Sequence, residues 1–307
     1  MSIGAVATPP FFFECAAKEE LMNFYADHYF QIGHTHYIAG KPCQDHALSR
    51  SNGSVVCAIV ADGCSTGGST DIGARILTLS TLQAIRDHAN AFLEPLETAP
   101  TGIIAKQQQI VRTVRPVLGL EPRDMLATCV YAYFTKQGGF VHVEGDGVVG
   151  FRYLNGNTRM HRYDWAGNTP FYPAYDGEDL AAFIAAHGSD LQAERLTSQE
   201  SLHNSGGELL YGVSARYSLR QGLAGIHLNV SPEEMRELEY VAVFTDGVTQ
   251  ISGIPWQNAV LEFLSFKNTM GEFAKRRMIR GIKDFQKKGF EPLDDIAYAV
   301  IGINHGE

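Results

Sequence analysis

Four short stretches of the sequence set an aspartate against a strongly apolar run. Gln44-Asp45 precedes one run, Ala61-Asp62-Gly63 follows another, Thr245-Asp246-Gly247 closes a third and Asp294-Asp295 opens the last. Taken singly, an Asp-Gly after a strand is a turn, because Asp bonds its own backbone and Gly accepts positive φ. Four in one chain put several carboxylates at the edge of a core, where an uncompensated charge is costly. Converging carboxylates repel one another, and a hard divalent cation is the simplest common partner. With no Cys or His cluster, oxygen-only donors favour magnesium or manganese over zinc or copper. Two such ions about 3.5–4 Å apart can bridge a water, lower its pKa and clamp a phosphoryl group. The residues therefore point to metal-assisted hydrolysis of a phosphate ester.

Such carboxylates need strands that end beside them. Ser54 to Ala61, Ala127 to Phe134, Tyr240 to Thr245 and Ile296 to Ile303 are short runs rich in Val, Ile, Tyr and Phe, as strand surfaces prefer. Phe140 to Val143 and Val148 to Tyr153 flank Gly145-Asp146-Gly147 and read as a hairpin with Asp146 in its turn. Asp71 to Ala91 carries Ile72, Ile76, Leu79, Leu82 and Ile85 along one face of a helix. Further helices are expected over Ile103 to Val117, Pro255 to Lys267 and Gly271 to Lys287. Helices grouped in sequence favour sheets with helices layered outside over a doubly wound sheet. Residues 155–239 hold one legible helix, Glu178 to His187, among Gly and Pro breaks; they read as a surface excursion or as a flap that shapes access.

The chain has 307 residues, 45% of them apolar and 19% charged, which fits an ordinary globule able to bury a core without disulfides. Twenty-five Lys and Arg against 34 Asp and Glu leave a net charge of −9, which argues against a nucleic-acid partner. No apolar run approaches the ~20 residues that span a bilayer, so no membrane partner is expected. The five cysteines, Cys15, Cys43, Cys57, Cys64 and Cys129, are odd in number, irregular in spacing and form no C-x-x-C pair, which argues against a disulfide framework or zinc ribbon. The opening MSIGAVATPPFFFEC has no basic segment followed by an apolar one. Free thiols without a secretory signal predict a cytoplasmic protein.

Other motifs have plainer readings. His34-Thr35-His36 lacks a third ligand nearby and reads as a polar strand end. Gly67-Gly68 ahead of the helix near Asp71 reads as a loop, with Ser69 or Thr70 as N-cap. The basic run Lys275 to Arg280 reads as a solvated helix face. Cys64 has no legible His–Asn partnership, and the neighbouring Asp62 is expected to raise its thiol pKa, so a cysteine phosphatase is rejected. Gly40-Lys41-Pro42 lacks the rest of a Walker A motif.

The blocks QDHA, IVADGCSTGGSTDIGARIL, VEGDGVVGF, VAVFTDGVTQ and LDDIAYAVIG, in that order from about Gly33 to Ile303, resemble the metal-dependent protein phosphatase 2C family. The upstream HYIAGKPCQD resembles its bacterial branch. The resemblance implies an α+β fold, a four-layer α-β-β-α sandwich of two antiparallel sheets flanked by helix pairs. It also implies a single domain over 1–307, with a core of about 30–303 and an elaborated 155–239. The implied activity is a phosphoserine/phosphothreonine protein phosphatase with two Mg²⁺ or Mn²⁺ ions. A metal-bridged hydroxide would attack phosphorus directly, and the partners would be a phosphorylated protein and a cognate Ser/Thr kinase.

Carried over position by position, the resemblance assigns Asp62 to bridge both ions and the Gly63 carbonyl to bind one of them. Asp246 and Asp294 would hold the other, and Asp45 would act directly or through a water, with Gln44 where many members have Glu. Asp146 matches the position of a third, weaker ion. In the last block Asp294, rather than Asp295, lines up with the ligand. Two positions depart from the family. Where many members carry a phosphate-gripping Arg, this chain has Gly40, which leaves His36 or Lys41 as the phosphate contact; Lys would act only as a point charge. Cys64 stands where some eukaryotic members have a His general acid, so another group or a metal-bound water would protonate the leaving group. A regulatory pseudophosphatase that binds a phosphoprotein without turnover is one alternative function. A small-molecule phosphomonoesterase is another.

Overall fold

The computed structural model describes residues 22–90, 96, 98–175 and 178–306. The chain begins with β1 (Asn23–Gln31), α1 (His34–Ile38), β2 (His46–Ser51), β3 (Val55–Ala61), α2 (Thr70–Asn90) and α3 (Ala99–Val117). Next come β4 (Cys129–Thr135), β5 (Gly138–Glu144), β6 (Gly147–Tyr153), β7 (Thr158–Trp165), α4 (Glu178–Ala186), β8 (Glu194–His203) and β9 (Leu209–Ser218). The rest is α5 (Leu219–Ala224), β10 (Ile226–Val230), α6 (Pro232–Met235), β11 (Leu238–Phe244), α7 (Trp256–Phe263), α8 (Phe273–Gln286) and β12 (Ile296–Asn304). The opening MSIGAVATPPFFFEC with Cys15, and Ala91 at the end of an expected helix, lie outside the described residues.

Two antiparallel sheets result, a seven-stranded one in the order β1-β12-β11-β6-β7-β8-β9 and a five-stranded one in the order β10-β5-β4-β3-β2. Strands buried on both faces read as continuous apolar runs, and side-chain alternation sends each face to a different layer. In β3, Val56, Ala58 and Val60 meet the other sheet, whereas Cys57, Ile59 and Ala61 meet α2 and α3. In β12, Ala297, Ala299 and Ile301 point between the sheets, while Ile296, Tyr298 and Val300 face α7 and α8. Three apolar clusters thus fill three interfaces, and the architecture is the expected α-β-β-α sandwich. Among the described residues no helix is long and apolar enough to cross a membrane.

Four expectations change, the first being that His34-Thr35-His36, read as a polar strand end, opens α1 (His34–Ile38). Phe140 to Val143 and Val148 to Tyr153 are strands but not a hairpin: β5 pairs with β4 and β10, whereas β6 pairs with β7 and β11. Gly145 (φ 97°) and Gly147 (φ 142°) turn the chain from one sheet into the other, with Asp146 at the crossing. In α2, Ile72 and Leu79 are exposed, and the buried face includes Gly73, Ala74, Leu77, Thr81 and Ala84. Small residues there let the helix lie close; a Cβ at Gly73 would collide with the Asp124 carbonyl. Residues 155–239, read as largely irregular, contain β7, β8, β9 and β10, the first three extending the larger sheet. Their alternation is hard to see because β9 is exposed along most of its length and β8 mixes Ser, Gln, Glu and His.

Candidate metal centre

The strand registers gather the aspartates at one end of the sandwich. His46 pairs with Ala61, which sets Asp45 and Asp62 side by side. Cys129 pairs with Glu144, which brings Thr128 and the Gly145-Asp146 crossing to the same end. Thr128 N donates to the Asp62 carbonyl at 2.9 Å, and Asp62 N donates to Thr128 Oγ1 at 3.3 Å. In the larger sheet Phe244 pairs with both Val148 and Tyr298, so Asp146, Asp246 and Asp294 share that end too. Thr245 ties the sheets together: its Oγ1 donates to Asp45 Oδ2 at 2.6 Å and accepts from Ala297 N at 2.9 Å.

Mutual repulsion and burial are legible in the electrostatics. Burial, with the charges of Asp45, Asp246 and Asp146, pushes the Asp62 carboxyl well above the usual range. Asp45 is pushed up by burial and by Asp295 and Asp246, against the favourable Thr245 hydroxyl. Asp146 is raised by burial and by Asp246 and Asp164, and its Oδ1 is buried without a hydrogen-bond partner. Asp246 is pushed up to about 6 by burial and by Asp294. Gln250 Nε2 donates to Asp246 Oδ2 at 2.9 Å and Asp294 Oδ2 at 3.1 Å, joining those two side chains. Carboxylates that cannot all ionise together, one with an orphaned oxygen, fit hard cations as their missing partner.

Among the described residues, His36, Asp294 and Asp295 are the group of potential ligand residues whose donor atoms lie within 4.8 Å of one another. Its donors are already engaged. Asp295 Oδ1 accepts from Gly33 N at 2.7 Å, and Oδ2 accepts from Gln44 N at 2.6 Å and lies 2.9 Å from His36 Nδ1. That satisfied network anchors the loops around the centre, and Asp294 is the member that also faces Asp246.

The remaining candidates fall around this cluster. Gly63 follows β3, its N–H bonded to the Gln44 carbonyl at 3.2 Å, and a Cβ there would press on the Gln44 and Thr70 carbonyls. Gln44 turns its side chain to Thr70 Oγ1 at 2.8 Å. His36 is buried against Asp295, an engagement other than the expected contact with phosphate. Lys41 is exposed, and its Nζ donates to the Ser65 carbonyl at 3.3 Å, beside the loop after Gly63. The expected rise in the Cys64 thiol pKa is not found. Burial opposes its ionisation, but hydrogen bonds from the Thr66 and Tyr172 hydroxyls and the Thr66 and Gly67 amides outweigh it and lower the pKa.

Sequence reasoning missed Thr128, Thr245, Gln250 and Tyr172. Thr245 and Gln250 had a signal, since they lie one before and four after Asp246. Tyr172 comes from the segment after β7, and its hydroxyl is held above its usual range by burial, by Cys64, and by Asp62 and Asp146. That segment is fixed to the crossing, where Trp165 Nε1 donates to the Gly145 carbonyl at 2.9 Å.

The fold and the cluster define an α+β sandwich protein with an acidic centre at the shared end of its two sheets. The family model described as Protein phosphatase 2C matches residues 32–277, and the chain belongs to that family. No curated protein matches the sequence. Among solved structures, the serine/threonine phosphatase Stp1 from Staphylococcus aureus superposes with a TM-score of 0.51 at 10% identity, over 91% of this chain and 94% of that one. A bacterial serine phosphatase gives the same TM-score and identity, over 92% and 98%. At such identity the likeness is one of fold.

Proposed function

We propose that this chain is a metal-dependent phosphoserine/phosphothreonine protein phosphatase. The observation that carries the reading is the meeting of Asp45, Asp62, Asp146 and Asp246, each with its pKa raised by burial and by its neighbours. Asp62 and the Gly63 carbonyl, with Asp246, Asp294 and Asp45, would hold two Mg²⁺ or Mn²⁺ ions, and Asp146 with Asp246 a weaker third. When bound, such ions supply a water of lowered pKa and clamp the oxygens of a phosphate ester.

The chain's own residues supply the rest. Thr245 fixes the Asp45 carboxylate across the sheet boundary, and Gln250 holds Asp246 and Asp294 at one separation. Asp295 pins the loop that presents Asp294. Lys41, at the rim, draws a phosphate by charge without fixing its orientation. Tyr172 and the segment after β7 wall one side of the centre, which supports reading residues 155–239 as an elaboration of one phosphatase domain that shapes access. A phosphorylated protein is the proposed substrate, a Ser/Thr kinase its counterpart, and the free thiols support a cytoplasmic setting.

Hydrolysis of an aryl phosphate, measured with Mn²⁺, Mg²⁺ and EDTA, tests the reading. Turnover that needs the ion and disappears in Asp62→Ala and Asp246→Ala is expected. Folded protein inert with every ion would leave a phosphoprotein-binding regulator instead. Turnover of aryl phosphate but of no phosphopeptide would leave a small-molecule phosphomonoesterase.

A further inference from the structure

On the outer side of the larger sheet, α8 and the loop before it enclose a groove of about 560 Å³. None of its lining residues belongs to the carboxylate centre. In a chain of net charge −9, this groove gathers Lys267, Arg276, Arg277, Arg280, Lys283 and Lys287 against a single carboxylate, Asp284. Phe266, Phe273 and Ile279 give it an apolar lining.

The cations are unequally engaged. Lys287 pairs with Asp284 at 2.8 Å, and Arg276 donates to the Asn268 and Met270 carbonyls at 3.3 and 2.6 Å. Arg277, its side chain only 10% exposed, pairs with Glu262 while its Nε stays buried without a partner. Lys267, Arg280 and Lys283 are exposed and make no hydrogen bond or ion pair among the described residues.

Arg276, Arg280, Lys283 and the C-cap Lys287 follow one another three or four residues apart on α8. Asp284, paired with Lys287 and four residues after Arg280, offsets only part of their charge, so an anion lying across the row would find an excess of cations. From Arg276 to Lys287 the helix rises about 16 Å at roughly 1.5 Å per residue. An extended peptide covers that length in about five residues at ~3.3 Å each. One phosphate would reach only part of the row.

We propose that this groove docks an acidic peptide segment, about five residues long at ~3.3 Å per residue, carried by the protein substrates of the centre. Only the identity of the carrier rests on the phosphatase reading. Binding itself is tested with the full chain, in Mn²⁺ and in EDTA, by fluorescence anisotropy of a labelled unphosphorylated Asp/Glu hexapeptide and a Ser/Gly peptide of equal length. The acidic peptide alone should bind, and its Kd should rise at least tenfold in Arg280→Glu/Lys283→Glu and, independently, in Lys267→Glu. All three side chains are exposed, and aryl phosphate turnover should be unchanged.

Equal affinity of wild type and variants for the acidic peptide would overturn the proposal. So would displacement of the peptide by an equal concentration of inorganic phosphate, which would make the groove a small-anion site. Peptide binding by a chain that hydrolyses nothing would support the groove while removing the phosphatase reading.

Discussion

Asp294 and Asp295 leave adjacent positions in different directions. Asp294 Oδ2 receives Gln250 Nε2 at 3.1 Å and belongs with Asp246, whereas Asp295 turns to Gly33 N, Gln44 N and His36 at 2.6–2.9 Å. Glycines make that division possible, since a Cβ at Gly33 or Gly247 would collide with the backbone of Asp294 or Asp295. Asp295 is nearly fully buried, so truncating it strands two amides and an imidazole. Asp295→Ala should therefore cost about 3 kcal/mol in urea denaturation. Asp294→Asn, at a half-buried position, should change stability little and weaken Mn²⁺ binding in calorimetry. Equal stability losses in the two variants would refute the assignment of anchor and ligand.

The raised carboxylates should lower the stability of the metal-free chain as pH rises toward neutral. A carboxyl whose pKa is higher folded than unfolded stabilises the fold while protonated and loses that contribution as pH rises through the folded value. For Asp246 the window runs from the ordinary 3.8 to about 6. Asp146→Asn and Asp246→Asn, which keep the shape and remove the charge, should raise the melting temperature of EDTA-treated protein at pH 7 by several degrees. Mn²⁺ should stabilise wild type strongly and Asp246→Asn far less. Asparagine variants less stable than wild type in EDTA would show that the acidic cluster is not under strain.

How far the sequence revealed this site depends on where each residue's signal lies. Asp45, Asp62, Asp246 and Asp294 adjoin apolar runs and could be read from the chain, because burial on both strand faces writes an unbroken hydrophobic pattern. Asp146 was legible as a turn residue, yet the turn itself was misread. Nothing local separates a hairpin from a crossing between sheets, and the pairing of β6 with β11 is set by residues about ninety positions away. Tyr172 was illegible for the same reason, since it reaches the centre through Trp165 and the crossing. The stripe of α2 misled because Gly73, Ala74 and Thr81 carry little hydrophobicity, while the exposed Ile72 and Leu79 carry much.

Cys64 differs from the other three described cysteines in the direction of its thiol pKa. Burial pushes Cys57 up to about 11 and Cys129 up to about 12, and burial with the Asp45 and Asp295 charges raises Cys43 further. Cys64 alone is lowered, with Thr66 Oγ1 at 3.2 Å from its sulfur. Since the thiolate is the nucleophile, limiting iodoacetamide at pH 7.5 should label Cys64 at least tenfold faster than Cys57 or Cys129, by peptide mapping. Thr66→Ala should slow that labelling. Labelling of Cys43 first, or at an equal rate, would contradict the assignment.

His161 sets an acid limit on the fold that opposes the carboxylate effect. Its ring lies between Phe151 and Tyr163, its Nε2 is buried without a partner, and Glu200 stands 3.8 Å from Nδ1. Burial, helped by Arg159 and opposed by Glu200, lowers its pKa from 6.5 to about 4. The unfolded chain binds the proton first as pH falls, so stability is complete above about 6.5 and is lost between there and about 4. The limit is about 3 kcal/mol for a shift of that size. In the metal-free chain the carboxylates run the other way over the same range, so the histidine is read from a difference. His161→Phe should lose less stability than wild type between pH 7 and pH 4 in urea titrations, by about 2–3 kcal/mol. Parallel pH profiles for the two proteins would show that His161 is not held neutral by the fold.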